Sequence, residues 1–231
     1  DINEHTPVFA TDTASFDLAE NAAVDAVVGT VTATDADADA SLQYSIVGTG
    51  TPFKIDAATG QIQVADASNL DFETATVKTW TFNVQVTDGV NTDMIAVTID
   101  LTDVNEAPVI TSDHTTPISL AEDYSDTTAN IASIVATDED AGASFSYSFV
   151  SGNIGDVFTL TDQGQIRLAT GKALDFETAP TYTLVVAVSD GTNTVQTTVV
   201  INVTDVNDNA PVFTSGSTFS ADENQRSIGT V

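Results

Sequence analysis

The sequence predicts an all-β protein built as tandem antiparallel β-sandwiches, and three observations carry that prediction. Apolar residues alternate with polar ones over short runs, turn signals separate the runs, and a set of motifs returns along the chain. Alternation with period two places every second side chain on one face, as in a strand with a single buried face. Trp80, Phe82, Val84 and Val86 alternate with Thr81, Asn83, Gln85 and Thr87. Tyr182, Leu184, Val186 and Val188 repeat the pattern, with Tyr182 where Trp80 stands. Val27 to Ala33, Gln43 to Val47, Ala96 to Leu101 and Thr197 to Val203 read the same way, rich in Val, Thr and Ile. Ala58-Thr-Gly60 and Asp162-Gln-Gly164 mark turns between such runs. No window sustains a helical period.

The runs are organised as a repeat. Asp1-Ile-Asn-Glu-His-Thr-Pro7-Val-Phe9 returns as Asp103-Val-Asn-Glu-Ala-Pro108-Val-Ile110 and as Asp205-Val-Asn-Asp-Asn-Ala-Pro211-Val-Phe213, with the leading aspartates 102 residues apart. Leu18-Ala-Glu20-Asn21 returns as Leu120-Ala-Glu122-Asp123 and Ala221-Asp-Glu223-Asn224. Leu70-Asp-Phe-Glu73 matches Leu174-Asp-Phe-Glu177, Asp35-Ala-Asp37 matches Asp138-Glu-Asp140, and Thr87-Asp88-Gly89 matches Ser189-Asp190-Gly191. The expected divisions are a first repeat over 1–104, opened by a linker at 1–7, a second over 105–206 and a truncated third over 207–231. The chain reads as an excerpt from a longer array.

Composition narrows the function classes. The chain has 231 residues, 34 acidic and 5 basic, for a formal charge of −29, and no cysteine. Disulfides, thiol nucleophiles and cysteine metal sites are therefore excluded, and so great an excess of carboxylates argues against nucleic acid, whose phosphates need basic partners. The apolar share of 42% is too high for an acidic disordered tail. Apolar runs fall short of the roughly 18 residues that span a bilayer, so no transmembrane segment is expected in this chain.

The recurring acids sit at strand ends and in the segments between repeats. Carboxylates gathered at one end of a sandwich repel unless a cation lies between them, and a hard cation ligated by oxygens alone is calcium. Magnesium keeps its waters, and zinc would recruit His or Cys, of which only His5 and His114 are present.

These motifs, in order over the whole chain, resemble those of tandem cadherin repeats of the kind found in large bacterial surface proteins. They are the linker Asp-x-Asn-Asp-Asn-x-Pro, the Ala-Glu-Asn, the Asp-x-Asp, the Leu-Asp-x-Glu and the Asp-Gly. The resemblance implies an elongated array of seven-stranded Greek-key sandwiches, with about three calcium ions between successive repeats. It implies that Glu20, Asp71 and Glu73, the linker residues Asp103, Asn105 and Glu106, the carbonyls of Val104 and Ala107, and Asp138, Asp140 and Asp190 hold the ions of the complete junction. Two partial junctions follow: Asp1, Asn3, Glu4, Asp35, Asp37 and Asp88 at one end, and Glu122, Asp175, Glu177, Asp205, Asn207 and Asp208 at the other. Partial calcium occupancy is expected there. Eight acids at the complete junction and five at each partial one make 18 of the 34. Glu106 stands where the linker motif has Asp, and this linker is one residue shorter than Asp205 to Pro211; both departures bear on the geometry of the third ion.

Competing readings are weaker. Asp71 and Glu73 have the composition of a glycosidase acid pair, but the pair recurs at Asp175 and Glu177 as part of the repeat, so no enzyme is expected. Trp80 is expected to be a core side chain, in register with Tyr182. The function expected is that of a calcium-stiffened extender in an extracellular or cell-surface adhesin, bacterial by its Thr, Val, Asp and Ala bias. The alternative is a calcium-dependent module that binds polysaccharide or another cadherin-like chain. The end of the chain is expected to hold a strand around Thr218 to Ala221 that needs a pairing partner.

Overall fold

The computed structural model describes residues 3–37, 40–212 and 223. Asp1 and the expected strand at Thr218 to Ala221 lie outside the described residues. Two compact units emerge, one of residues 1–108 with 138–144 and one of 109–137 with 145–231.

In the first unit the strands are β1 (Val8–Phe9), β2 (Thr13–Ala19), β3 (Val27–Thr30), β4 (Ala33–Thr34), β5 (Gln43–Val47), β6 (Phe53–Ile55), β7 (Gln61–Val64), β8 (Thr79–Thr87) and β9 (Thr92–Thr102). They form a four-stranded sheet in the order β2-β9-β8-β5, a three-stranded sheet β3-β7-β6 and a small pair β1-β4. The inner faces of the two larger sheets share one core, in which Ile62 and Val64 of β7 meet Val84 and Val86 of β8 and Val97 and Ile99 of β9, all fully enclosed. Alternation produced this: Phe82, Val84 and Val86 are buried while Thr81 and Asn83 face water.

The second unit repeats the plan with β10 (Val109–Ile110), β11 (Ile118–Ala121), β12 (Ala132–Ser133), β13 (Ala136–Thr137), β14 (Ser146–Ser151), β15 (Phe158–Leu160), β16 (Gln165–Leu168), β17 (Thr181–Ser189) and β18 (Thr194–Thr204). Its sheets are β11-β18-β17-β14, β12-β16-β15 and β10-β13. The two larger sheets of each unit supply seven strands, and the small pair adds two short ones. A short 3₁₀ turn at Ile154–Asp156 is the only helical element among the described residues, and no helix there is long and apolar enough to cross a membrane.

Two expectations are refined. The run from Val27 to Ala33 splits into β3 and β4, because Val31 turns inward and its N–H bonds Gly60 O at 3.0 Å. Gly60 has φ +71°, and a Cβ there would lie 2.2 Å from Val31 O, so the turn admits only glycine; Gly164 repeats this against Ile134 O. The second refinement concerns direction. Most pairs are antiparallel, but β2 runs parallel to β9 and β11 parallel to β18. Period-two patterning is the same for either direction, and strands far apart in sequence are free to pair in parallel.

Candidate metal centre

The parallel pairs position the acids. With Ala19 opposite Thr102, the residues after β2 and β9 leave the sheet together, which puts Glu20 beside Asp103 and Val104. Glu20 N–H donates to Thr102 O at 3.2 Å, adding one rung to the ladder. Its carboxylate is then clamped by two backbone donors, Val104 N–H to Oε1 at 2.7 Å and Phe72 N–H to Oε2 at 2.5 Å. Such charge-assisted bonds are about twice as strong as neutral ones. The Phe72 bond draws the Leu70-Asp-Phe-Glu73 segment to the strand ends, and one carboxylate oxygen each from Glu20, Glu73, Asp103 and Glu106 lies within 4.8 Å of the others.

The second unit builds the same clamp. Ala121 faces Thr204, Glu122 N–H reaches Thr204 O at 3.1 Å, and the Glu122 carboxylate accepts from Val206 N–H at 2.6 Å and Phe176 N–H at 2.8 Å. Glu122, Glu177 and Asp205 come within 4.8 Å of one another. At 7% exposure, Glu122 is the one buried charged residue among the described residues. Asn209 Nδ2 donates to Glu177 Oε1 at 2.7 Å.

Crowding shows in the acidities of the first group. Burial pushes the Glu106 carboxyl up to about 6, and the charges of Glu20, Asp140, Glu73 and Glu139 add to it. Burial likewise raises Glu73, with Glu20 and Asp103 contributing, and raises Asp140, with Asp103 and Asp138 contributing. Like charges at this spacing oppose ionisation, and a cation among them reverses the effect.

Other predicted ligands are placed as follows. Asp140 N–H donates to Asp138 Oδ1 at 3.2 Å and Glu106 N–H to Asp140 Oδ2 at 3.0 Å, so this Asp-x-Asp adjoins the linker acid. Asn105 Nδ2 donates to Glu106 O at 2.6 Å. Asp71 and Asp175 are not in the acid groups; each caps its own turn, with Thr74 N–H on Asp71 Oδ1 at 2.9 Å and Thr178 N–H on Asp175 Oδ1 at 2.8 Å. Asp88 and Asp190 also cap turns, accepting from Asn91 N–H and Asn193 N–H at 2.6 Å each. Asp37 N–H donates to Asp35 Oδ1 at 2.9 Å, Asn3 Nδ2 donates to Asp88 O at 3.3 Å, and His5 Nδ1 lies 2.8 Å from Asp37 Oδ1. That contact raises the imidazole and lowers the carboxyl. Asn207 and Asp208 are exposed.

The donor set fits calcium. Asn3 Oδ1, Asp35 Oδ2, Glu73 Oε2 and Asp138 Oδ2 are enclosed with no hydrogen-bond partner, and all four belong to residues that the motifs assign to calcium. Buried oxygens are almost always satisfied in folded proteins, so each of these four is a position that a cation would suit. The groups offer oxygen only and contain no histidine, which suits a hard ion and not zinc. Sequence reasoning missed the clamp itself. Its signal was the constant 84-residue separation of Glu20 from Val104 and of Glu122 from Val206, which fixes the parallel register.

Comparison with known proteins agrees with this architecture. The Cadherin domain model matches residues 14–102 and 116–204. The cadherin EGF LAG seven-pass G-type receptor 2 of Mus musculus is 35% identical over 93% of this chain, which spans only 8% of that receptor's length. Protocadherin Fat 4 of Homo sapiens is 31% identical over the full chain, which covers 5% of its length. Among solved structures, human protocadherin-24 EC1-2 superposes with a TM-score of 0.60 at 23% identity, over 89% of this chain and all of that one. Drosophila N-cadherin EC1-4 gives 0.61 at 22% identity, over 87% of this chain and 50% of that one; both likenesses show the fold. With two domain matches in register with the repeats and relatives above 30% identity, the chain belongs to the cadherin family.

Proposed function

We propose that this chain is a calcium-stiffened segment of an extracellular adhesion protein. The observation that carries the reading is the first acid group, in which Glu20, Glu73, Asp103 and Glu106 bring four carboxylate oxygens within 4.8 Å of one another. Bound calcium supplies positive charge that offsets their repulsion and joins ligands from successive repeats, about three ions per complete junction.

This chain's own residues divide the task. Glu20 and Glu122, held by backbone N–H groups, are preorganised. Glu73, Asp103 and Glu106 close around the ion, Asn105 and the carbonyls of Val104 and Ala107 complete the linker's share, and Asp138, Asp140 and Asp190 serve the following repeat. Asp71 supplies its outer oxygen while capping its turn. Asn3, Asp35, Asp37 and Asp88, with Asp1 and Glu4, serve a preceding junction, and Glu122, Asp175, Glu177, Asp205, Asn207 and Asp208 a following one. Without calcium the carboxylates lie well within a Debye length of about 8 Å and repel. With it, bending the joint breaks coordination.

Extracellular calcium modules bind at roughly 10⁻⁴ to 10⁻³ M, which places the working protein outside the cytosol or on the cell surface. The Thr, Val, Asp and Ala bias and the absence of cysteine favour a bacterial adhesin as the parent, although the matched relatives come from animals. No catalysis is part of this reading.

Small-angle scattering and calorimetric titration test it. Calcium is expected to lengthen and narrow the distribution of dimensions, and to raise the melting temperature by an amount equivalent to about 2.7 kcal/mol at 100 times the dissociation constant. Identical scattering in calcium and in chelator, with no heat of binding, overturns it.

A further inference from the structure

One feature of the first unit differs from its counterpart in the second. Trp80 of β8 and Tyr182 of β17 occupy equivalent positions, opposite Ile99 and Ile201. Each meets a phenylalanine edge to face, Trp80 with Phe53 at 5.4 Å and Tyr182 with Phe158 at 5.0 Å. Tyr182 is 5% exposed, as a core residue should be. Trp80 is only half-buried and lines a cleft of about 570 Å³. The expectation of a core tryptophan therefore holds for one part of its surface only.

The loop beside it also differs between the units. In the second unit Gly152, which follows β14, packs onto β17 so closely that a Cβ would lie 1.8 Å from Thr183 O. Asn153 then pins the loop down, with Phe158 N–H on its Oδ1 at 2.9 Å and its Nδ2 on Phe158 O at 2.8 Å. In the first unit Gly48 follows β5, and neither Gly48 nor Gly50 would bring a Cβ within 4 Å of anything. Open space surrounds both glycines, and Gly50 lines the cleft beside Trp80.

We infer that this cleft is a binding site for a neutral saccharide. Its volume falls in the range of about 300–1,000 Å³ typical of ligand sites. Thr51, Asp66, Asn69, Thr74 and Thr76 line it around Trp80, so polar residues surround the aromatic. That pairing suits a pyranose, whose polarised C–H face meets the negative face of an indole while its hydroxyls need convergent donors and acceptors. Ser68 N–H on Asp66 Oδ1 at 2.9 Å holds that carboxylate in place. Among the described residues Asp66 is the only charged side chain lining the cleft, and it is negative. Together with the net charge of −29, this disfavours uronic-acid or sulfated chains.

Trp80 is the only tryptophan in the sequence, so its emission reports occupancy directly. The chain is titrated in calcium with gluco-, xylo-, manno- and chito-oligosaccharides, in parallel with a glycan array and an amine-bearing peptide. At least one neutral oligosaccharide is expected to shift the emission saturably. Asp66→Asn, which keeps the shape of the site, should weaken binding about tenfold by calorimetry, and Trp80→Leu, which keeps apolar packing on Phe53 but removes the aromatic face, should abolish the array signal. Emission unchanged across the panel, array binding indifferent to both substitutions, or a response to the amine-bearing peptide alone overturns the inference.

Discussion

The two acid groups share a clamp and differ in everything around it. Glu20 and Glu122 each accept two backbone N–H bonds at the end of a parallel strand pair. Beyond that, the first group contains a fourth acid from the linker, Glu106, with its carboxyl pushed up to about 6. The second has three acids, and the Asn209 amide bonds one of them. The contrast separates two roles. The clamp glutamates are satisfied by the fold and stabilise it with or without an ion. Glu73 and Glu106 are enclosed against like charge, so they oppose the ion-free fold, and on the proposed reading a cation offsets that cost.

The largest expected effect comes from cutting the clamp where it is most deeply buried. Glu122→Ala leaves the N–H groups of Phe176 and Val206 without their acceptor, and buried hydrogen bonds to a charged group contribute about 1.5–3 kcal/mol each. A loss of about 3–6 kcal/mol is expected in chelator, by denaturant unfolding of the second unit. Glu20→Ala should cost less in the first unit, because water reaches its half-exposed site. Equal losses for the two substitutions would break the distinction.

A smaller effect of opposite sign is expected from Glu106→Gln. The isosteric amide removes one like charge, so the first unit should melt at a higher temperature in chelator, while calcium affinity falls about tenfold. In the second unit Asn209→Asp should do the reverse, lowering the ion-free melting temperature and tightening calcium binding. Calorimetry with and without calcium reads both quantities. A Glu106→Gln protein that melts lower in chelator would show that Glu106 supports the fold and not the ion.

Much of this was legible from residues alone because the chain repeats itself. Strands β5, β8 and β17 were marked by alternation, and Gly60 and Gly164 by their turn positions. Glu20, Glu73 and Asp103 were marked by recurrence, and the structure brings them together. The direction of β2 against β9 was not legible, since a period of two carries no information on strand polarity. Nor was the capping by Asp71 and Asp175, because a Leu-Asp-x-Glu motif reads the same whether its aspartate faces an ion or its own turn. Trp80 and Tyr182 share a register, yet the first is half-buried and the second buried, a difference in surroundings that no local pattern reveals.

The smallest effect compares the two histidines. His114 Nε2 lies 2.7 Å from Ser112 Oγ, which also accepts from Val135 N–H at 3.0 Å, and burial lowers the imidazole below its usual 6.5, against an opposing pull from Asp113. His5, exposed and paired with Asp37, is raised above 6.5. A histidine with a lowered folded pKa binds its proton more tightly in the unfolded chain, so its contribution is intact above pH 6.5 and is lost as pH falls below that value. The second unit should therefore lose a little stability between about pH 7 and 5, and His114→Gln should flatten that slope. In chelator the two imidazole signals followed by NMR should titrate on opposite sides of 6.5, His5 above and His114 below. The reverse order would mean that the Ser112 contact favours the charged ring and outweighs the effect of burial at this site.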